Sequence, residues 1–146
     1  MKILDYQVVS LELTEPLTII SVPDTDSDCW ECEPLWHCGL NRQSEYILSI
    51  DYLVISRRGG DVARAKVTTI FQLTLGSADF LPVTDEDFEA FVLFGQLAMA
   101  HARALFAHEA RNSPFAGDLL PIERNQSAKD RLAVDFGKIR TAGKTI

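Results

Sequence analysis

The chain has 146 residues, 47% of them apolar, enough for one domain with a core of its own. Its net charge of -7 is uneven: residues 1 to 123 carry 8 basic and 19 acidic side chains, and residues 124 to 146 carry 6 basic and 2 acidic. A body so acidic repels phosphate backbones, which argues against a nucleic-acid partner, and no run of eighteen apolar residues offers a membrane span.

The opening MKILDYQVVSLELTEP carries Glu12 and Glu15 where a secretory signal keeps an unbroken apolar stretch. Tyr6 to Leu13 then alternates, with Val9, Leu11 and Leu13 on one side and Ser10, Glu12 and Thr14 on the other, the period of a half-buried strand. Pro16 argues against its continuation as a central strand. From Ser21 to Glu33 the sequence is acidic and irregular and reads as a long loop, with a short strand expected near Trp36.

Glu45 to Ser56 predicts a strand with Tyr46, Leu48, Ile50, Tyr52 and Val54 on one face. RRGGD, residues 57 to 61, supplies the two glycines of a tight hairpin. Val62 to Leu75 returns as its partner, with Ala63, Ala65, Val67, Thr69, Phe71 and Leu73 facing one way and Arg64, Lys66, Thr68 and Gln72 the other. Thr84 with Asp87 resembles a capping box, and a helix follows to about Arg111, where Asn112, Ser113 and Pro114 stop it. Phe88, Phe91, Val92, Gly95, Met99, Ala102, Leu105 and Phe106 form one apolar stripe. The other side is also mostly apolar, with Phe94, Leu97, Ala104 and Ala107 broken by His101 and His108. A helix apolar on both sides needs cover on both, and a second subunit is the simplest cover. Leu132, Val134, Phe136 and Ile139 mark either a weakly docked helix near Ala128 to Ile139 or a tail without fixed structure.

The densest chemistry lies in DCWECEPLWHC, residues 28 to 38. Cys29 and Cys32 have the spacing of a redox pair or half a zinc site, yet the nearby His37 and Cys38 are adjacent in sequence and do not easily point at one metal. Thiols acting as small hydrophobes are the expected reading, with a metal-binding or thiol module on Cys29, Cys32 and Cys38 as the rival. The three cysteines, crowded together, cannot staple a secreted fold, so reduced thiols and a cytoplasmic location are expected. Asp24, Asp26 and Asp28 imitate the start of a calcium loop, but its sixth and twelfth positions would be Cys29 and Leu35. His101 and His108 stand about 10 Å apart along a helix, too far for one zinc. With no nucleophile elbow, phosphate loop or dinucleotide fingerprint, neither an enzyme nor a cofactor is expected. Trp30, Leu35 and Trp36 read either as a lid over the core or as a contact surface.

The order strand, aromatic loop, short strand, hairpin, long helix, together with AMAHARALFAHEARNSPFAGDLLPIE at residues 98 to 123 and Trp36 before a short strand, resembles the SecB family of export chaperones. The resemblance implies an α+β fold: a four-stranded antiparallel sheet with a long helix on one face, assembling through helices and sheet edges into a dimer of dimers. Residues 1 to 123 would be the SecB-like domain and 124 to 146 a basic tail. The family holds unfolded polypeptides without ATP in apolar grooves, which implies a groove role for Leu35, Trp36 and Leu40; Trp30 is added on its chemistry alone. Implied partners are unfolded polypeptides, further copies of the chain, and a translocase motor or an antitoxin. A dedicated interaction adaptor on the same fold is a further alternative.

Overall fold

The structure, a computed structural model, describes residues 2–22, 28–76 and 85–116. Four strands, β1 (Ile3–Ser21), β2 (Cys29–Leu40), β3 (Tyr46–Arg58) and β4 (Asp61–Leu75), precede one helix, α1 (Asp85–Ala110). The strands form one antiparallel sheet in the order β1-β4-β3-β2, so the β3–β4 hairpin is central and β1 and β2 are its edges. Thr84, Asp24, Asp26, residues 117 to 123 of the family-like stretch and the tail from 124 onward lie outside the described residues.

The hairpin forms as the sequence reads. Gly59 (φ 58°) and Gly60 (φ 83°) both take positive φ, the geometry of a two-residue turn that matches strand twist. Tyr46, Leu48, Ile50, Tyr52 and Val54 are all buried on the α1 side, opposite Leu73, Phe71, Thr69, Val67 and Ala65. At the other end of β3, Asn41 orders the link from β2, its side-chain oxygen accepting from the backbone N–H of Gln43 and Glu45 at 3.0 and 2.9 Å.

Two strands are longer than the sequence reading. β1 passes through Pro16 to Ser21 because it is an edge strand, where a missing N–H breaks no ladder; register shifts between Leu13 and Glu15 and between Glu15 and Thr18 absorb the proline. A further shift at Val8/Ser10 puts Val8 opposite Phe71 and Leu11 opposite Thr69, so Val8, not Val9, shares a face with Leu11 and Leu13. The expected loop from Ser21 to Glu33 is strand from Cys29 onward. Cys29 to Glu33 pair with Arg57 to Leu53, and the strand near Trp36 therefore runs twelve residues. An edge strand with one solvated face admits the alternating acidic residues that made this stretch look like a loop.

α1 lies across one face of the sheet and presents to it Phe91, Phe94, Ala98, Ala102 and Phe106, all buried. Tyr52 Oη donates to the Gly95 carbonyl at 3.2 Å, and His101 Nδ1 lies 3.1 Å from Thr69 Oγ1. Burial holds the His101 imidazole below its ordinary pKa, which favours the neutral ring between helix and sheet. The helix is less two-sided than its sequence suggests: Phe94, assigned to the far side, packs edge-on to Tyr6 at 5.1 Å and against Phe71 at 5.0 Å. What remains outward is Leu93, Ala100 and Ala104, with Leu97 and Ala107 partly exposed. Glu86–Ala110 is long and apolar enough to cross a bilayer, but its largest apolar side chains face the sheet. After Ala110, Ser113 caps the chain end, its backbone N–H and hydroxyl both reaching the Ala110 carbonyl, and Phe115 is buried behind it.

Candidate functional site: the β2 margin

A helix about 10 Å wide cannot roof a sheet whose outer strands lie about 14 Å apart. The margins beside β1 and β2 are therefore where apolar side chains on the helix face reach solvent.

Along β2, even-numbered residues face α1 and odd-numbered ones face away, as the pairing with β3 fixes. Trp30, Cys32 and Pro34 are half-buried on the helix side, Trp36 and Cys38 are buried there, and Leu40 closes the row, half-buried beside Tyr46. Trp36 stacks on Phe91, centroids 5.9 Å apart and planes within 9°, while Trp30 meets Phe106 edge-on at 5.7 Å. Fifteen helical steps between those phenylalanines and six strand steps between the tryptophans each span about 20 Å. β2 and α1 thus run side by side in opposite directions, an apolar margin about 20 Å long with an aromatic pair at either end.

Gly95 makes the Trp36 end possible. A Cβ there would stand 3.0 Å from Trp36 Cη2 and 3.3 Å from Cζ2, so the indole lies directly on the helix backbone. Trp36 is only 4% exposed, and its Nε1 has no hydrogen-bond partner. Behind it, burial raises the Cys38 thiol above its ordinary pKa, which a hydrogen bond with Tyr46 partly offsets, and burial raises the Tyr46 phenol too.

Of the four residues proposed from sequence, Trp30, Trp36 and Leu40 share this face. Leu35 does not: it lies on the opposite face of the sheet, 48% exposed, opposite Asp51. The Trp36 position, matched to a crossover loop, is inside a strand. The strand geometry also separates the cysteines. Cys29 and Cys32 point to opposite faces, and Cys32 and Cys38 stand about 20 Å apart along one face, so the three thiols do not converge on one ion. Cys29 instead accepts from Arg57 Nη1 at 3.7 Å, beside the 2.8 Å ion pair of Arg57 with Glu31.

The other margin escaped the sequence reading. Eight of the ten exposed large hydrophobic residues among those described fall between Leu4 and Val22, including Tyr6, Val8, Leu11 and Ile19 on the helix side of β1. The alternation of this strand was legible, but nothing in it told an edge strand, half roofed by α1, from a covered one.

By fold the chain is similar to the SecB-like chaperone Rv1957 of Mycobacterium tuberculosis, solved in complex with a ChAD peptide from the HigA1 antitoxin Rv1956, with a TM-score of 0.53 and 15% identity over 82% of this chain and 88% of that one. The fold is SecB-like. At this identity the likeness is one of architecture. No family model matches the sequence, and no curated protein matches it. Within the SecB-like sheet, then, this chain's own residues must say which surface does what.

Proposed function

We propose that the chain is an ATP-independent holdase that binds extended, apolar segments of unfolded polypeptide along the β2 margin, through Trp30, Trp36 and Leu40. The observation that carries this reading is the 20 Å margin itself: half-buried Trp30, Cys32, Pro34 and Leu40 in a straight row between a strand and a helix, with buried Trp36 and Cys38 as its floor and no described charged side chain on the β2 wall. A row of that length takes about six residues of extended chain and prefers apolar content over a particular order. Leu35, on the outer face, stands apart from this row and would serve only a client wrapping the edge of β2.

Self-association belongs to the same proposal. The outward stripe of α1 combines Leu93 and Leu97 with alanines that let two helices approach closely, and β1 offers an unpaired backbone edge with apolar side chains along it. Helix-to-helix and edge-to-edge contacts of this kind give a dimer of dimers and leave the β2 margins open. Work in the cytoplasm, expected from three cysteines crowded into one strand, is part of the same proposal. Clients of a translocase motor, or an antitoxin segment such as the peptide bound by the M. tuberculosis neighbour, are both within the chemistry of the margin.

The test uses the full chain. A chemically denatured protein diluted into nucleotide-free buffer is expected to scatter progressively less light as the chain is added, with no change on adding ATP. Undiminished scattering with the chain in excess removes the proposal.

A further inference from the structure

Two donors beside the β2 margin are buried without an acceptor: Trp36 Nε1 and Arg103 Nε. Native structures leave few such groups, and each marks a strain, an unseen water or a missing ligand. Arg103 is one helical turn from both Met99 and Phe106, so it lies on the flank of α1 that faces β2, near the Trp30 end. Trp36 lies at Gly95, eight helical steps earlier, about 12 Å along the axis. The carbonyl of Gly95, the residue against which the indole lies, accepts from Tyr52 Oη.

Resting on the holdase reading, we propose that the margin recognises the client's main chain as well as its side chains. Two carbonyl oxygens of one extended segment accept from Trp36 Nε1 and Arg103 Nε. The distance of about 12 Å along α1 between Gly95 and Arg103 is the length of about four residues of extended backbone, so carbonyls four apart, which point the same way in a strand, suit donors carried at those two points. Helical segments present carbonyls at the wrong spacing and already bonded, and are refused. Backbone recognition also explains how a site without sequence preference still separates unfolded from folded chains. Both nitrogens are sheltered in the unliganded chain, so the client displaces neighbouring side chains to reach them; Arg103 is half-buried, and its guanidinium can turn outward.

The test removes the donor and keeps the shape. Replacing the Trp36 indole by benzothiophene exchanges N–H for sulfur with the ring volume nearly unchanged, and Arg103→Lys keeps the charge but moves the donor off the Nε position. The probe is reduced, carboxymethylated lactalbumin, permanently unfolded, titrated against the full-length assembly. Each change is expected to weaken binding roughly three- to tenfold, the worth of one hydrogen bond, and the benzothiophene protein is expected to melt at a higher temperature than the parent when unliganded. Unchanged affinity in both variants, with the parent binding the probe, overturns the main-chain inference alone. A lower melting temperature with unchanged affinity shows that the indole N–H holds a structural partner, and overturns it too. A parent that does not bind the probe defeats this inference together with the holdase reading.

Discussion

Trp36→Ala is expected to lower the unfolding free energy by about 3 to 5 kcal/mol in urea denaturation, and Leu35→Ala to change it by less than about 0.5 kcal/mol. The two residues are neighbours in sequence but lie on opposite faces. Trp36 fills the space against Phe91 and Gly95, and truncation leaves a cavity in a close-packed part of the core. Leu35 is 48% exposed and loses little on truncation. Equal effects would mean that β2 is in another register, since a slip of one residue exchanges the two faces. The size of the first effect also shows why an alanine at position 36 is a poor probe of client binding: a change in holdase activity would be inseparable from damage to the core. A volume-preserving change separates the two.

The second large effect concerns β1. Val8→Lys with Leu11→Lys is expected to convert the proposed dimer of dimers into smaller species, read by light scattering coupled to size-exclusion chromatography, while the circular dichroism of the sheet is kept. Both residues lie on the helix side of an edge strand and are 44% and 42% exposed, so lysines there extend into solvent in a single copy but confront their counterparts when two edges meet. An unchanged mass would assign the exposed row on β1 to something other than self-association. The margin beside β1 would then become a second candidate for the client.

How far the fold could be read from sequence follows from which strands are central. β3 and β4 are covered on one face and paired on both sides, so their alternation, two-glycine turn and boundaries were legible to within a residue or two. α1 was legible for the same reason, its length set by Ser113 and Pro114 and its core face by the phenylalanines. β1 and β2 were not, because an edge strand obeys weaker rules. It tolerates Pro16, admits Glu31 and Glu33 on a solvated face, and takes register shifts that reassign Val9.

The candidate site was legible in composition and not in geometry. Two tryptophans in DCWECEPLWHC marked the stretch, but only the strand assignment separates Trp30 and Trp36 from Leu35 and scatters the three cysteines. Phe94 shows the same limit on the helix. Its position fits either side of an apolar helix, and it is the placement of Tyr6 and Phe71 that draws it into the core. Arg103 carried no signal in the sequence, since an unpaired Nε becomes visible only when its surroundings are known.

Hydrogen exchange on the full-length chain, with and without saturating reduced and carboxymethylated lactalbumin, tests the proposed client position most directly. Added slowing of exchange is predicted for the amides of Trp30 to Leu40 and of Met99 to Phe106, with Ile3 to Leu13 unaltered. Slowing confined to β1, or to the outward stripe around Leu93 and Ala100, would contradict the account and move the client to another surface.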